Sequence, residues 1–452
     1  MSWGEVSVFM KRRKAAAVSA FILMSVLLAG CSAHTAAVDK DSADEPEKTK
    51  LQIAIFEGGY GREYWDAVCE AFEKENPDID IVMQSNAEIG DIIRPTIIAG
   101  NPPDFVYLPS NNISGVTSAL IKDHALADIT DVMEEVEDKL IPGFLDTKSC
   151  QPYDDGKIYL APMYYSPMGM WYNKDYFEKN SLEVPETWDE FFALGNDERC
   201  ADRALFAYQG IYPAYMESVI LSSIASSAGT EAMDACLNYE EGAWRNEKVR
   251  EVLDSIAKIG TEGYLLEGSI FMDHTQAQAE WLEGEAMFIP AGSWIENEMV
   301  RATRENGFSF GFAAAPALEQ DDERYVYTRI EEMYIPAAAE NIEAAKEFLA
   351  FQYSDAAIEL NAKLAKGVPP VVGAAEKIKD YASEAVYESY RIFEQGYKPY
   401  MGEFAAVTGS NIVPRDSFYA QVGEVMSGMK TVDEWIEEME AIGDQVRDSK
   451  VQ

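Results

Sequence analysis

Between Leu51 and Leu108 short apolar strands alternate with amphipathic helical stretches, and this alternation restricts the architecture more than any other feature of the chain. Leu51-Gln-Ile-Ala-Ile-Phe56 reads as a strand and Glu57 to Gly61 as a glycine-rich loop. Trp65, Val68, Cys69 and Phe72 then recur at helical spacing until Asn76-Pro77 stops the helix. A second strand follows at Ile79 to Met83, then a helix-compatible stretch to Ala99, the breaker Gly100-Asn-Pro-Pro103 and a third strand from Asp104 to Leu108. Such a pattern predicts an α/β fold with a mainly parallel sheet, whose ligands sit at strand C-terminal ends. By that rule Glu57–Gly61 and Pro109-Ser-Asn-Asn112 are rim loops of one lobe.

The segment Tyr153–Asn173 is extended, aromatic and punctuated by proline, and reads as a crossover. From Val184 the chain is mostly helical until Ala286–Pro290 and Phe308–Ala314 supply new strands, which predicts a second α/β lobe. Tyr327–Ile335 is extended again, and Ala344–Tyr353 is an amphipathic helix. Thr431-Val-Asp-Glu434 is a capping-box pattern that opens a terminal helix through Trp435 and Met439. A length of 452 residues is two or three domains' worth, and no internal repeat is visible.

The N-terminus reads as an address. Met10-Lys-Arg-Arg-Lys14 is a basic n-region, and Ala15–Leu28 is an apolar run of signal-peptide length, too short for a comfortable membrane span. It ends in Leu28-Ala-Gly-Cys31, which resembles the bacterial lipoprotein processing box, so Cys31 is the expected lipidation site and first residue of the mature chain. Ser32–Lys50 is small and charged and reads as a flexible tether. Acyl chains would then hold the protein at the membrane, since no other apolar stretch reaches about 18 residues.

Charge excludes one class of partner. Acidic residues number 79 against 37 basic ones, so an anionic polymer such as nucleic acid is repelled over most of the surface, and small anionic substrates are disfavoured too. Cleavage before Cys31 removes four cations but only Glu5 among the acids, leaving 33 basic and 78 acidic side chains. Three histidines leave little room for a histidine-rich metal centre, and Cys69, Cys150, Cys200 and Cys236 form no CxxC pair. No metal or cofactor is expected, and the cysteines read as buried thiols or long-range disulfides. The aromatic complement, 20 Phe, 24 Tyr and 8 Trp, must serve a core or a stacking site.

Several motifs occur together and in order. The strand and glycine loop at Ile55–Gly61, Asn101-Pro-Pro-Asp104, Tyr153–Tyr159 with Trp171-Tyr-Asn-Lys174, Pro185-Glu-Thr-Trp-Asp-Glu190, Gly292-Ser-Trp294, Ala344–Phe351 and Thr431-Val-Asp-Glu-Trp435 follow a lipoprotein signal. Together they resemble the family 1 extracellular solute-binding proteins of carbohydrate ABC transporters, the maltose-binding group, over roughly residues 51–440. Ile55–Gly61 and Gly100–Asp104 are similar to the N-acetylglucosamine and chitobiose-binding lipoproteins of that group. The resemblance implies a type II periplasmic-binding-protein-like fold, with residues 51–161 and 333–385 in one lobe and 162–332 and 386–452 in the other. Tyr159–Tyr165 and Thr328–Glu332 would be hinge strands. It also implies a monomeric receptor, not an enzyme, anchored through Cys31 on the outer face of the cytoplasmic membrane, that delivers a carbohydrate to ABC permease subunits.

A pyranose has apolar C–H faces and a rim of hydroxyls, so its site needs rings for the faces and carboxylates or amides for the rim. Trp294, after Ser293 in a strand-to-helix turn, is the foremost stacking candidate, and Tyr60 is next, a loop ring with nothing local to pack on. Glu57 is the hydroxyl acceptor of the first lobe, Asn111 and Asn112 can bond hydroxyls or make a turn, and Tyr164, Tyr165 and Glu332 lie on the hinge segments. Trp171, beside the crossover, can face the cleft or, as is commoner for such a ring, the core, and Trp188, Trp281 and Trp435 read as packing residues. Two rivals stand beside this reading. A glycoside hydrolase needs only two carboxylates at a set separation, though no nucleophile elbow, HExxH or phosphate loop is present. A polyamine-binding protein would suit the net charge.

Overall fold

The computed structural model describes residues 48–110, 112, 114–153, 155–405, 407 and 413–450. The signal segment, Cys31, most of the tether and Asn111 therefore lie outside the described residues. Ten strands are present among the described residues: β1 (Thr49–Phe56), β2 (Ile79–Asn86), β3 (Phe105–Tyr107), β4 (Leu160–Pro167), β5 (Gly169–Asn173), β6 (Ala204–Phe206), β7 (Ala286–Ala291), β8 (Phe310–Ala313), β9 (Tyr325–Tyr334) and β10 (Lys398–Tyr400). They form two sheets, one ordered β10-β9-β3-β1-β2 with β4 also on β9, the other ordered β6-β7-β5-β8.

The strand and helix alternation at the start of the chain becomes a parallel β2-β1-β3 unit. Helix Glu63–Glu75 connects β1 to β2 and buries Trp65, Val68, Cys69 and Phe72. It stops at Asn76, whose backbone N–H and side-chain amide both donate to Phe72 O, because Pro77 has no N–H to continue the ladder. Phe72 and Phe105 pack edge-on against Phe348 of helix Ile342–Phe351, so the expected amphipathic helix covers this sheet.

The chain leaves this sheet without a loop. β4 pairs antiparallel with β9 from Leu160↔Tyr334 to Pro167↔Thr328, and after Met168 alone the chain enters β5 of the second sheet. β9 bridges in the opposite sense: its C-terminal end pairs with β3 and β4, while near its start Tyr325 and Tyr327 donate N–H to Ser226 and Ser222 of helix Glu217–Ala228. The expected hinge segments thus fall in two paired strands linking two α/β lobes.

Trp171, Trp188, Trp281 and Trp435 are buried, Trp188 donating to Ser223 Oγ at 2.8 Å. All four described cysteines are free buried thiols, and burial pushes those of Cys69 and Cys150 up to about 12. Glu434 accepts from Thr431 N–H and returns its own N–H to Thr431 Oγ1, the reciprocal pair of a capping box. β6, in contrast, lies in a stretch that reads as mostly helical. It has three residues, too few to show a period, and is made by pairing Ala204 with Ala286 and Phe206 with Phe288 of β7.

Candidate functional site

The loop after β1 and the turn after β7 meet. A Cβ on Gly59 would lie 2.9 Å from Trp294 Cβ, so the glycine lets the two backbones approach. The Trp294 ring folds back over Gly292, where a Cβ would stand 2.2 Å from the indole. Trp294 is 8% exposed, with the Arg329 guanidinium 5.8 Å from its ring centroid. Tyr60 is 7% exposed and packs on Tyr164 with ring centroids 4.2 Å apart. The ring has nothing local to pack on, and its partner is distant in sequence. Tyr164 in turn meets Tyr107 edge-on at 5.8 Å. Tyr60 Oη lies among Ser166, Ser293 and Tyr390 without hydrogen-bond geometry to any described group. Burial first, and Glu331 second, hold the Tyr60 phenol well above its ordinary range.

Beside these rings runs a chain of neutral hydroxyls. Ser293 N–H donates to Ser166 Oγ at 3.1 Å, the two serine hydroxyls are 2.8 Å apart, and Ser293 Oγ is 2.9 Å from Tyr390 Oη. Tyr390 Oη donates to Tyr165 O at 3.1 Å. Tyr165 lies against Phe144 and Tyr390, away from the Tyr60 and Tyr164 pair, as the two-residue period of a strand requires. Sequence reasoning missed Ser166 and Tyr390. Ser166 follows Tyr164 and Tyr165 on the hinge strand, whereas Tyr390 sits in helix Glu384–Arg391 with no local sign of its neighbours.

The acids take different positions. Glu57 is half-buried and accepts from Ser85 Oγ at 2.7 Å. Glu332 is fully buried and accepts from both Ser110 N–H and Ser110 Oγ at 3.0 Å. Burial, then the charge of Glu403, push the Glu332 carboxyl up to about 8. Its neighbour Glu331 is the one beside the tyrosines: the register places it opposite Tyr164, and Tyr107 Oη donates to it. Nearby, Arg415 Nε donates to Glu217 Oε1 at 2.6 Å. Asn112 makes a turn, donating N–H to Pro109 O and accepting from Ser114 N–H through Oδ1.

The structure thus brings Tyr60, Tyr164, Ser293 and Trp294 together, sets Tyr165 and Glu332 just behind them, and leaves Glu57 and Asn112 in loops of the first lobe. Ring faces and hydroxyls can stack and exchange hydrogen bonds. Two open concavities of about 240 and 280 Å³, the first around Ser226, Thr230 and Tyr325 and the second around Ala235, Gly242 and Asn246, do not touch this site. No cluster of three His, Cys, Asp or Glu able to hold a metal occurs among the described residues.

The sequence profile of the bacterial extracellular solute-binding proteins matches residues 58–359. The chain is 25% identical over 382 residues to the diacetylchitobiose binding protein NgcE of Streptomyces coelicolor, covering 82% of this chain and 80% of that one. It is 24% identical over 368 residues to a maltooligosaccharide ABC transporter solute-binding lipoprotein of Streptococcus pneumoniae, covering 76% and 77%. Its fold superposes on a chitin oligosaccharide binding protein with a TM-score of 0.69 at 18% identity, over 88% of this chain and all of the other. With the profile spanning more than half of the 452 residues, the chain belongs to the bacterial extracellular solute-binding protein family.

Proposed function

We propose that this protein is the substrate-binding component of a carbohydrate ABC importer, capturing a sugar or short oligosaccharide between its lobes and delivering it to a membrane permease. The observation that carries this reading is the seam of Tyr60, Tyr164 and Trp294 beside the Ser166–Ser293–Tyr390 hydroxyls. Rings match the C–H faces of a pyranose, and hydroxyls that now bond one another can bond sugar hydroxyls instead at little cost in charge desolvation. Binding would follow hinge motion in β4 and β9, with closure favoured by the ligand's higher affinity for the closed state. Residues 51–161 with 333–385, and 162–332 with 386–452, are the bodies proposed to move. Of the sequence candidates, Tyr60, Tyr164, Ser293 and Trp294 are proposed to touch the ligand, with Glu57, Asn111, Asn112, Tyr165 and Glu332 at its margins. The protein would act as a monomer, without catalysis, held outside the cell by a lipid on Cys31.

The names of the relatives make N-acetylglucosamine oligomers the first ligands to test. A thermal-shift panel of these oligomers, maltodextrins, raffinose and spermidine is the direct assay, because a ligand that binds only the folded state raises the midpoint. At least one sugar is expected to raise it. A response to spermidine alone would replace this reading with a polyamine receptor, and shortened oligosaccharide products would replace it with a hydrolase.

A further inference from the structure

Behind the ring seam two carboxyl groups meet where the lobes join. Glu332, near the C-terminal end of β9, is fully buried and accepts from Ser110 N–H and Oγ, in the loop that leaves β3 of the first lobe. Glu403 arrives from the other side. It follows β10, and the stretch around it is tied to the second lobe: Tyr400 Oη donates to Asp234 Oδ1 at 2.7 Å, Ala405 N–H to Leu237 O at 3.0 Å and Tyr239 Oη to Ala405 O at 2.6 Å. Its side chain reaches across to Ser149 of the first lobe, next to Cys150, whose carbonyl accepts from Tyr159 and Leu160 N–H at the start of β4. Glu403 thus links the two bodies proposed to move.

Among the described residues both carboxyl groups are bonded by serines, while Arg415 bonds Glu217 at 2.6 Å and Arg329 is shared with Glu331 and Glu217. Tyr327, Tyr334 and Cys150 also face the pair, and burial keeps all three neutral. Two like charges that face each other in a largely buried site cannot both ionise without a large penalty, so the pair is most stable while it holds a proton. Burial and the charge of Glu403 lift the Glu332 carboxyl to about 8, and Glu403 rises with it. Separating the lobes would draw Glu403 away from Ser149 and admit water to both groups, which returns a carboxyl toward its ordinary range.

We propose that Glu332 and Glu403 form a proton-operated clasp between the lobes: one proton bound by the pair holds the cleft closed, and its loss drives the cleft open. The proton is taken from solvent, forms an O–H bond on one of the two carboxyl groups and returns to solvent on opening, so no other reactant takes part. Closure then takes up a proton, and a neutral ligand is held less tightly as pH rises. This inference rests on the lobe motion proposed above and not on which ligand is carried.

Small-angle scattering of the purified, ligand-free protein from about pH 6 to about pH 9, with far-ultraviolet circular dichroism on the same samples, tests it. The wild type is expected to widen, its radius of gyration rising with a midpoint near pH 8 while its helical signal stays constant. In Glu332→Gln and, separately, Glu403→Gln one carboxyl becomes a neutral amide, and the transition should be lost, the radius staying at its low-pH value throughout. Where one of these variants fails to fold, the other carries the comparison. A wild-type radius that does not change over this range would overturn the clasp. So would a rise of equal size in the amide variants, as general charge repulsion gives, or a rise accompanied by loss of the helical signal. None of these results touches the sugar reading, which the thermal-shift panel decides on its own.

Discussion

Two stretches of the interlobe seam, a few residues apart along β9, are built from opposite chemistry. Around Tyr60, Tyr164, Ser293 and Tyr390 the buried groups are rings and neutral hydroxyls, with the half-buried Glu331 at their edge. Around the buried Glu332 and Glu217 and the half-buried Glu403, Arg329 and Arg415 stand carboxylates and guanidinium groups that perturb one another. Neutral hydroxyls can trade one hydrogen-bond partner for another at small net cost, so the first stretch is suited to yield its contacts to a ligand. A buried carboxylate is stable only while paired or protonated, so the second stretch ties stability to pH and to its ion pair.

The largest effect should come from breaking the charged stretch. Arg415→Ala leaves Glu217 buried without its partner and should destabilise the fold by about 3 kcal/mol, read as a fall in urea midpoint. In the neutral stretch, Trp294→Ala should weaken the ligand by about 2 kcal/mol, close to thirtyfold in Kd, with a smaller change in urea midpoint than Arg415→Ala produces. The pH dependence sharpens the same contrast. Glu332 is raised from 4.5 to about 8 in the native state, so over that range the native state holds more protons than the unfolded one. Its contribution is therefore full below the unfolded value and is lost as pH rises through about 8. Glu403, Arg329 and the Ser110 donors face the same carboxyl, and Glu403 is raised with it, so comparison with Glu332→Gln reads the titration of the pair. As pH rises from about 5 to 8 the wild type should lose stability relative to that variant, read as a falling urea midpoint. The smallest change is expected for Ser293→Ala, about 1 kcal/mol, because Ser166 and Tyr390 lose only a neutral partner.

The same two stretches show what could be read before the structure. Phe56, the Glu57–Gly61 loop and the helix over Trp65–Phe72 are legible because local periodicity dictates them. Trp294 and Tyr60 are legible as loop rings at strand ends, though their mutual approach across Gly59 is not. Whether Glu331 or Glu332 faces the tyrosines depends on the β4–β9 register, and that register shifts between Pro162 and Tyr164. A one-residue slip exchanges the faces of a strand, so neither acid could be preferred from the chain alone. Tyr390 and Arg415 reach the seam from the C-terminal part of the chain, and their positions come only from long-range packing.

Titration of the protein with N-acetylglucosamine oligomers, maltodextrins and spermidine in a calorimeter tests the central claim most directly. The account predicts saturable binding of a neutral oligosaccharide at one site per chain, greatly weakened in Trp294→Ala. Heat from spermidine with none from any sugar, or sugar binding indifferent to Trp294→Ala, would contradict it.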